Sequence, residues 1–257
     1  MQKFGICLQT LIPVRATSSE TAEMISQIIF GETYIINSYK ENWVNITLSY
    51  DEYSGWIDIK QIIEIDENKF VEINRDKNIL SSDIFSFLKN QNTGEKIPLV
   101  AGSNLPFIDN KGCINIDKYR FKYLKDIKQK THYDILEVAK SFLNAPYLWG
   151  GRTILGIDCS GFSQIVYKII GIKIDRDASM QAKQGRYINN TEDIKAGDLA
   201  FFKNEDNKIT HVGIILSLKK IIHASGWVRI DDFDKNGIFN IDNNKYTHTL
   251  HSIRRFF

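Results

Sequence analysis

The most restrictive feature of this sequence is one helix with two well-marked ends. Phe162, Ile165, Val166, Ile169 and Ile170 recur at the spacing of a single helical face. Gly171 supplies a C-terminal stop. Asp158 is a good N-cap, because a carboxylate accepts from the first unpaired N–H groups of a helix. A second helix is expected over 133–143, where Ile135, Leu136, Val138, Ala139, Phe142 and Leu143 keep helical spacing, and strands dominate from Asp198 onward.

The front half is built differently. Residues 33–37, 42–48 and 54–59 are rich in β-branched and aromatic side chains and are separated by polar breaks such as Tyr50-Asp51-Glu52. They read as strands of a small β-barrel with Trp43 and Trp56 inside or at its rim. A helical period is sustained only around 20–28. Residues 79–88 fit helix or strand, while Lys96–Val100, 105–108 and Cys113–Ile116, set apart by Gly94, Gly102 and Gly112, suggest a second small β unit. The expectation is an α+β chain in three parts, 1–65, 66–127 and 128–257. The 257 residues would make two domains of about 150 residues, or three if the β modules are small.

Bulk properties exclude several classes. A hydrophobic fraction of 43% and a charged fraction of 25% are those of a globular protein with a real core. The net charge of +2, without a Lys/Arg cluster, argues against nucleic acid as a partner. Gln9, Thr10 and Pro13 interrupt the apolar run that a secretory signal needs. No stretch approaches the ~20 apolar residues of a membrane helix. A cytoplasmic monomer without membrane insertion is therefore expected, or a periplasmic protein if a leader has been removed. Cys7, Cys113 and Cys159 are a poor disulfide framework, and no C-x-x-C pair suggests structural zinc. No cofactor is called for.

Cys159 stands apart from the other two. It falls in the first turn of the helix behind Asp158, where free N–H groups and the positive helix end favour an anion, so a stabilised thiolate is expected. The small Ser160-Gly161 pair leaves room for a substrate carbonyl. Two histidines are placed to act with it: His211 begins the apolar strand His211-Val212-Gly213-Ile214, and His223 lies in the following Ile221-Ile222-His223-Ala224. A plain two-residue turn at Leu218-Lys219 pairs His223 with Ile214 and puts the imidazoles on opposite faces. An odd-length loop or a bulge pairs His223 with Gly213 or Ile215 and brings them together. We expect the second arrangement, with His211 as base and His223 holding its ring, because a nucleophile, a base and an orienting group together activate a thiol.

The ordered strings Pro146-Tyr147-Leu148-Trp149-Gly150-Gly151, Asp158-Cys159-Ser160-Gly161-Phe162, Arg176-Asp177-Ala178-Ser179, Gly197-Asp198-Leu199-Ala200-Phe201-Phe202, His211-Val212-Gly213-Ile214 and His223-Ala224-Ser225 resemble the NlpC-type peptidases of the papain-like clan. The resemblance covers nearly all of residues 130–257. It implies a cysteine helix packed on an antiparallel sheet that carries both histidines, and hydrolysis of peptidoglycan peptides by acyl transfer. Cys159 then matches the nucleophile, His211 the base, His223 the third polar partner, and Tyr147 a phenol that binds the oxyanion beside the Cys159 N–H. Gly197-Asp198 matches a turn before a strand.

The front half resembles the bacterial SH3-like domains of γ-D-glutamyl-L-diamino-acid peptidases, which release L-Ala-γ-D-Glu from stem peptides. That likeness implies Glu23, Tyr53 and Asp158 as partners of the substrate ammonium. It also implies Ser179 as a partner of the D-Glu carboxylate, with Ser160 lining the same site. Rival readings are an acyltransferase or amidase on the same scaffold, a wall-peptide binding module without catalysis, and a zinc hydrolase using His211, His223 and Asp198 or the His248/His251 pair. The histidine spacings match no metal motif.

Overall fold

A computed structural model describes residues 2–75, 79–125 and 133–257. The chain divides into two compact units, Met1–Thr131 and His132–Phe257. The expected break at 127/128 lies outside the described residues.

The first unit opens with β1 (Lys3–Ile6), β2 (Leu11–Arg15), β3 (Met24–Ile29), β4 (Thr33–Lys40), β5 (Trp43–Leu48), β6 (Ser54–Asp58) and β7 (Glu64–Ile65). They form one antiparallel sheet in the order β3-β2-β6-β5-β4-β1-β7. Strand periodicity is plain in β5, where Val44, Ile46 and Leu48 are buried and Trp43, Asn45 and Thr47 are half-buried. The helical spacing around 20–28 does not become a helix. Ile25, Ile28 and Ile29 favour a pleated surface, and β3 pairs along the length of β2. Trp43 and Trp56 sit half-buried at the margin of the core formed by Ile12, Val14, Val44, Ile46 and Ile57.

Helix α1 (Glu67–Arg75) follows, then β8 (Ile79–Leu80), β9 (Phe85–Asn90), β10 (Lys96–Val100), β11 (Asn104–Leu105), β12 (Cys113–Ile116) and β13 (Tyr119–Tyr123). The ambiguous stretch 79–88 thus resolves into two strands. The order β10-β9-β13-β12 makes a four-stranded sheet. Its Leu88, Leu99, Ile114 and Phe121 share one core with Phe4, Ile6 and Phe30 from the first sheet and Ile73 of α1. The two β modules are therefore held together by a common apolar cluster. Helix α1 carries no strong apolar run and is missed by periodicity.

The second unit contains α2 (Ile135–Lys140), β14 (Arg152–Thr153), β15 (Gly156–Ile157), α3 (Cys159–Ile169), α4 (Ala178–Gln181) and β16 (Arg186–Tyr187). Strands β17 (Leu199–Lys203), β18 (Ile209–Ser217), β19 (Lys220–Ser225), β20 (Trp227–Asp234), β21 (Gly237–Asn240) and β22 (Lys245–Arg255) complete it. Helix α2 is shorter than the 133–143 expected. Every residue of α3 is buried, so its polar positions also needed partners: Ser163 Oγ donates to the Cys159 carbonyl at 3.1 Å and Gln164 Nε2 to that of Ile174 at 3.2 Å. Helix α3 packs on β18 and β19.

The antiparallel sheet closes on itself. Its order is β16-β22-β17-β18-β19-β20-β21, with β21 pairing back onto β22, so β17 to β22 make a six-stranded barrel and β16 adds at the edge. Closure comes from the length of β22. Its distal half pairs with β17 and its proximal half with β21, and a bulge against each partner bends it round. Asp198 clamps the seam, accepting from Arg255 Nε and Nη2 at 2.7 Å each. The interior is filled by Ala200, Phe202, Ile215, Ile221, Phe233, Ile238 and Ile253. Among the described residues no helix is long and apolar enough to cross a membrane.

Gly237 opens β21 opposite Thr249 of β22, at φ 139°, and a side chain there would fall on the His248 carbonyl oxygen. Gly237→Ala should cost about 2 kcal/mol or more by opening this closure, read as a lower urea midpoint. An unchanged midpoint would show that the seam does not depend on that approach.

Candidate active site

Asp158 ends the extended chain before α3 and accepts from the Gly161 N–H at 2.7 Å, the capping bond its position demanded. Its carboxylate does more than cap. Arg176, itself 2% exposed, donates Nη1 to Oδ1 at 3.0 Å and Nη2 to Oδ2 at 2.6 Å, and the Gly150 N–H donates to Oδ2 at 2.8 Å. Ser160 Oγ accepts from Arg176 Nη1 at 2.9 Å and reaches Asp158 Oδ1 at 3.3 Å. Asp158, Ser160 and Arg176 thus form one buried hydrogen-bond network. The room beside Gly161 is also taken, since a Cβ there would meet the Gly151 carbonyl.

Cys159 is the first residue of α3 and 6% exposed. Its sulfur accepts from the backbone N–H of Val212, the residue after His211, and from that of Ser160. Burial works against the expected stabilised thiolate. Burial, and behind it the Asp158 carboxylate, pushes the thiol up to about 12; the Val212 N–H, the Arg176 guanidinium and the Ser160 N–H pull the other way without prevailing. The helix end is real, but the carboxylate that caps it is also the nearest negative charge.

The histidines come together as the bulge alternative required. The turn is the plain two-residue one, with Ser217 opposite Lys220, but a bulge at Leu216 restores the pairing Ile215–Ile221 and Ile214–Ile222. His223 thus stands opposite Gly213, on the face His211 occupies. A Cβ on Gly213 would lie 3.0 Å from that of His223 and 2.7 Å from Ile221 Cδ1, so glycine makes room for the crossing ring. His211 Nε2 lies 2.8 Å from His223 Nδ1, with both residues buried. On the far side His223 Nε2 lies 3.0 Å from Asp231 Oδ2.

His248 of β22 stacks on the ring of His211, centroids 4.1 Å apart at 30°, and the edge of Phe202 closes another side. Burial, then His223 and His248, hold His211 well below the ordinary imidazole range. Burial and then His223 bring His248 down to about 4, against the pull of Asp231. Ring nitrogens of His211, His223 and His248 lie within 4.8 Å of one another. Asp198 is locked to Arg255, and His251 turns to Ser252 at 3.0 Å. Of the residues in the zinc-hydrolase alternative, Asp198 and His251 are thus engaged elsewhere.

Residues 144–255 match the model of the NlpC/P60 family, and residues 14–62 match that of the bacterial dipeptidyl-peptidase Sh3 domain. A γ-D-glutamyl-L-lysine dipeptidyl-peptidase of Bacillus subtilis is 30% identical over 241 residues, spanning 87% of this chain and 75% of that protein. The chain belongs to the NlpC/P60 family. It is a cysteine peptidase. Dipeptidyl-peptidase 6 of Lysinibacillus sphaericus is 26% identical, covering 79% of this chain and 81% of its own. The crystal structure of an NlpC/P60 family protein from Bacillus cereus superposes with a TM-score of 0.82 over 98% of this chain and 99% of the other, at 18% identity, which places the fold as papain-like with SH3-like modules in front.

Around the peptidase core, Tyr147 is half-buried, its N–H donating to the Gly226 carbonyl at 3.0 Å. Its phenol is raised above the usual range by burial first and then by the nearby Cys159 sulfur. Ser179 is exposed on α4, which packs on β18. In the first unit, Glu23 is exposed ahead of β3, and Tyr53 is half-buried ahead of β6, its N–H donating to Asp51 Oδ1 at 3.2 Å. Asp231 was missed from the sequence, and His248 was weighed only as a metal ligand in the zinc-hydrolase alternative. Alternation about the tight turn at Gly226, which pairs Ser225 with Trp227 and His223 with Arg229, is the signal that could have found Asp231. Nothing local announces His248.

A neutral, lone-pair-bearing His211 persists below the usual imidazole pKa. kcat/KM should therefore hold steady as the pH falls through 6.5 and decline only below it, where protonation removes the base. An acid limb centred at or above 6.5 in the pH–rate profile would contradict this.

Proposed function

We infer that this peptidase hydrolyses the bond between γ-D-Glu and the diamino acid of peptidoglycan stem peptides that carry a free N-terminal L-Ala. The observation that supports it most is the placing of the Cys159 sulfur at the head of α3 against the His211-bearing strand, with His223 2.8 Å behind the base. The relatives' activity, on γ-D-glutamyl-L-lysine, supplies the bond class.

In this reading His211 Nδ1 takes the thiol proton as sulfur attacks the γ-carbonyl carbon. The oxyanion is met by the Cys159 N–H and the Tyr147 hydroxyl. Collapse breaks the C–N bond, His211 returns its proton to the departing amine of the diamino acid, and a thioester remains. Water then attacks that thioester, giving a proton to His211. The sulfur leaves and is reprotonated, and L-Ala-γ-D-Glu departs with a new carboxylate. Burial disfavours charge on both the thiol and the imidazole, so in this reading proton transfer accompanies attack.

The resemblance assigns Glu23, Tyr53 and Asp158 to the substrate amine and Ser179 to the D-Glu carboxylate. A desolvated ammonium is costly without a partner. A cytoplasmic site of action, on soluble wall fragments, goes with this reading.

Incubation with L-Ala-γ-D-Glu-diaminopimelate should yield L-Ala-γ-D-Glu and free diaminopimelate by mass, with Cys159→Ala inactive. Acetylating the L-Ala amine should abolish turnover, and Glu23→Gln should raise KM for the free peptide. Normal cleavage of the blocked peptide would refute amine capture.

A further inference from the structure

Beyond the cysteine and the two histidines lies a buried carboxylate that the reaction as described does not use. Asp231 Oδ2 lies 3.0 Å from His223 Nε2, and the two side chains are 3% and 1% exposed. Its other oxygen, Oδ1, accepts from Arg229 Nη2 at 2.8 Å, and Arg229 is held from outside by Asp242 at 2.7 Å and lies over the Trp227 ring at 4.8 Å. The hydrogen bonds from His223 and Arg229 outweigh burial, which acts first and alone would raise it, so the carboxyl stays below its usual range and ionised.

An ionised carboxylate only accepts, and this fixes every proton along the line. His223 must carry its proton on Nε2 to donate to Asp231. Its Nδ1 is then a lone pair, which obliges His211 to donate from Nε2. That leaves His211 Nδ1 bare, the state a general base needs. We propose that Asp231 is a positioning residue that sets the tautomer of the catalytic base through two successive imidazoles. This rests on the reading of His211 as the base of Cys159.

Arg229 makes the proposal sharply testable. In Asp231→Asn the guanidinium still requires an acceptor, so the amide oxygen stays toward Arg229 and the NH2 turns toward His223. A donor now faces Nε2, and the whole line inverts: His223 donates from Nδ1, His211 accepts at Nε2, and its proton moves to Nδ1, where it faces the sulfur. In hydrolases whose histidine is held by a buried carboxylate, an amide in that place costs about 10⁴-fold through the wrong tautomer. Asp231→Ala removes the instruction without reversing it.

The experiment compares kcat, KM and imidazole ¹⁵N shifts on the full chain, with L-Ala-γ-D-Glu-diaminopimelate as substrate. The order of kcat should be wild type, then Asp231→Ala, then Asp231→Asn, the last down about 10³-fold or more with KM within a few-fold. The double variant Asp231→Asn/Arg229→Ala frees the amide to rotate and should recover at least tenfold over Asp231→Asn. The ¹⁵N shifts should place the His211 proton on Nε2 in the wild type and on Nδ1 in Asp231→Asn. A residue that merely filled space would give the opposite order, because alanine leaves the cavity and asparagine does not. Asp231→Asn matching or exceeding Asp231→Ala, or an unmoved His211 proton, overturns the proposal. If Cys159→Ala retains activity, it is the reading of the site that fails, independently of Asp231.

Discussion

One extra residue in a strand decides whether this active site exists. With the two-residue turn between β18 and β19 taken alone, His223 would lie opposite Ile214 and point away from His211. The bulge at Leu216 slips the pairing by one, and the period-two geometry of a strand converts that slip into a change of face. Gly213 then admits the ring that crosses it. Everything downstream, from the 2.8 Å contact between the imidazoles to the carboxylate behind them, follows from that register.

The Cys159 sulfur is held by a different compromise. A helix N-terminus favours a negative sulfur, yet the same first turn needs a cap, and the cap chosen is a carboxylate. Arg176 is buried against Asp158 to neutralise it, and the small residues Gly150, Gly151 and Gly161 let three backbone segments meet around it. What remains for Cys159 is a dry site in which the neutral thiol is preferred. Burial acts on His211 in the same direction, also favouring the neutral form. The same desolvation thus disfavours charge on both the sulfur and the imidazole.

Barrel closure supplies the last side of the site. Because β22 is long enough to serve both β17 and β21, His248 returns from the far end of the chain to lie on the ring of His211. Together with Phe202 and His223 it leaves that imidazole little freedom to turn. An imidazole confined in this way has its orientation set in advance.

Much was legible in the residues alone. The apolar face of α3 with Asp158 before it and Gly171 after it fixed the helix ends, because capping and periodicity are local. Alternating β-branched positions found β5, β10 and β12 for the same reason. The order of motifs pointed to the cysteine, both histidines and Tyr147. Sequence also narrowed the hairpin to two registers, yet it could not choose by geometry, since a bulge leaves no mark in composition. Nor could it see that burial pushes the Cys159 thiol up, that Arg176 is buried against Asp158 and Ser160, or that Asp231 and His248 converge on the histidines. These depend on desolvation and on contacts between strands distant in the chain, quantities that come into being only when the sheet closes and water is excluded.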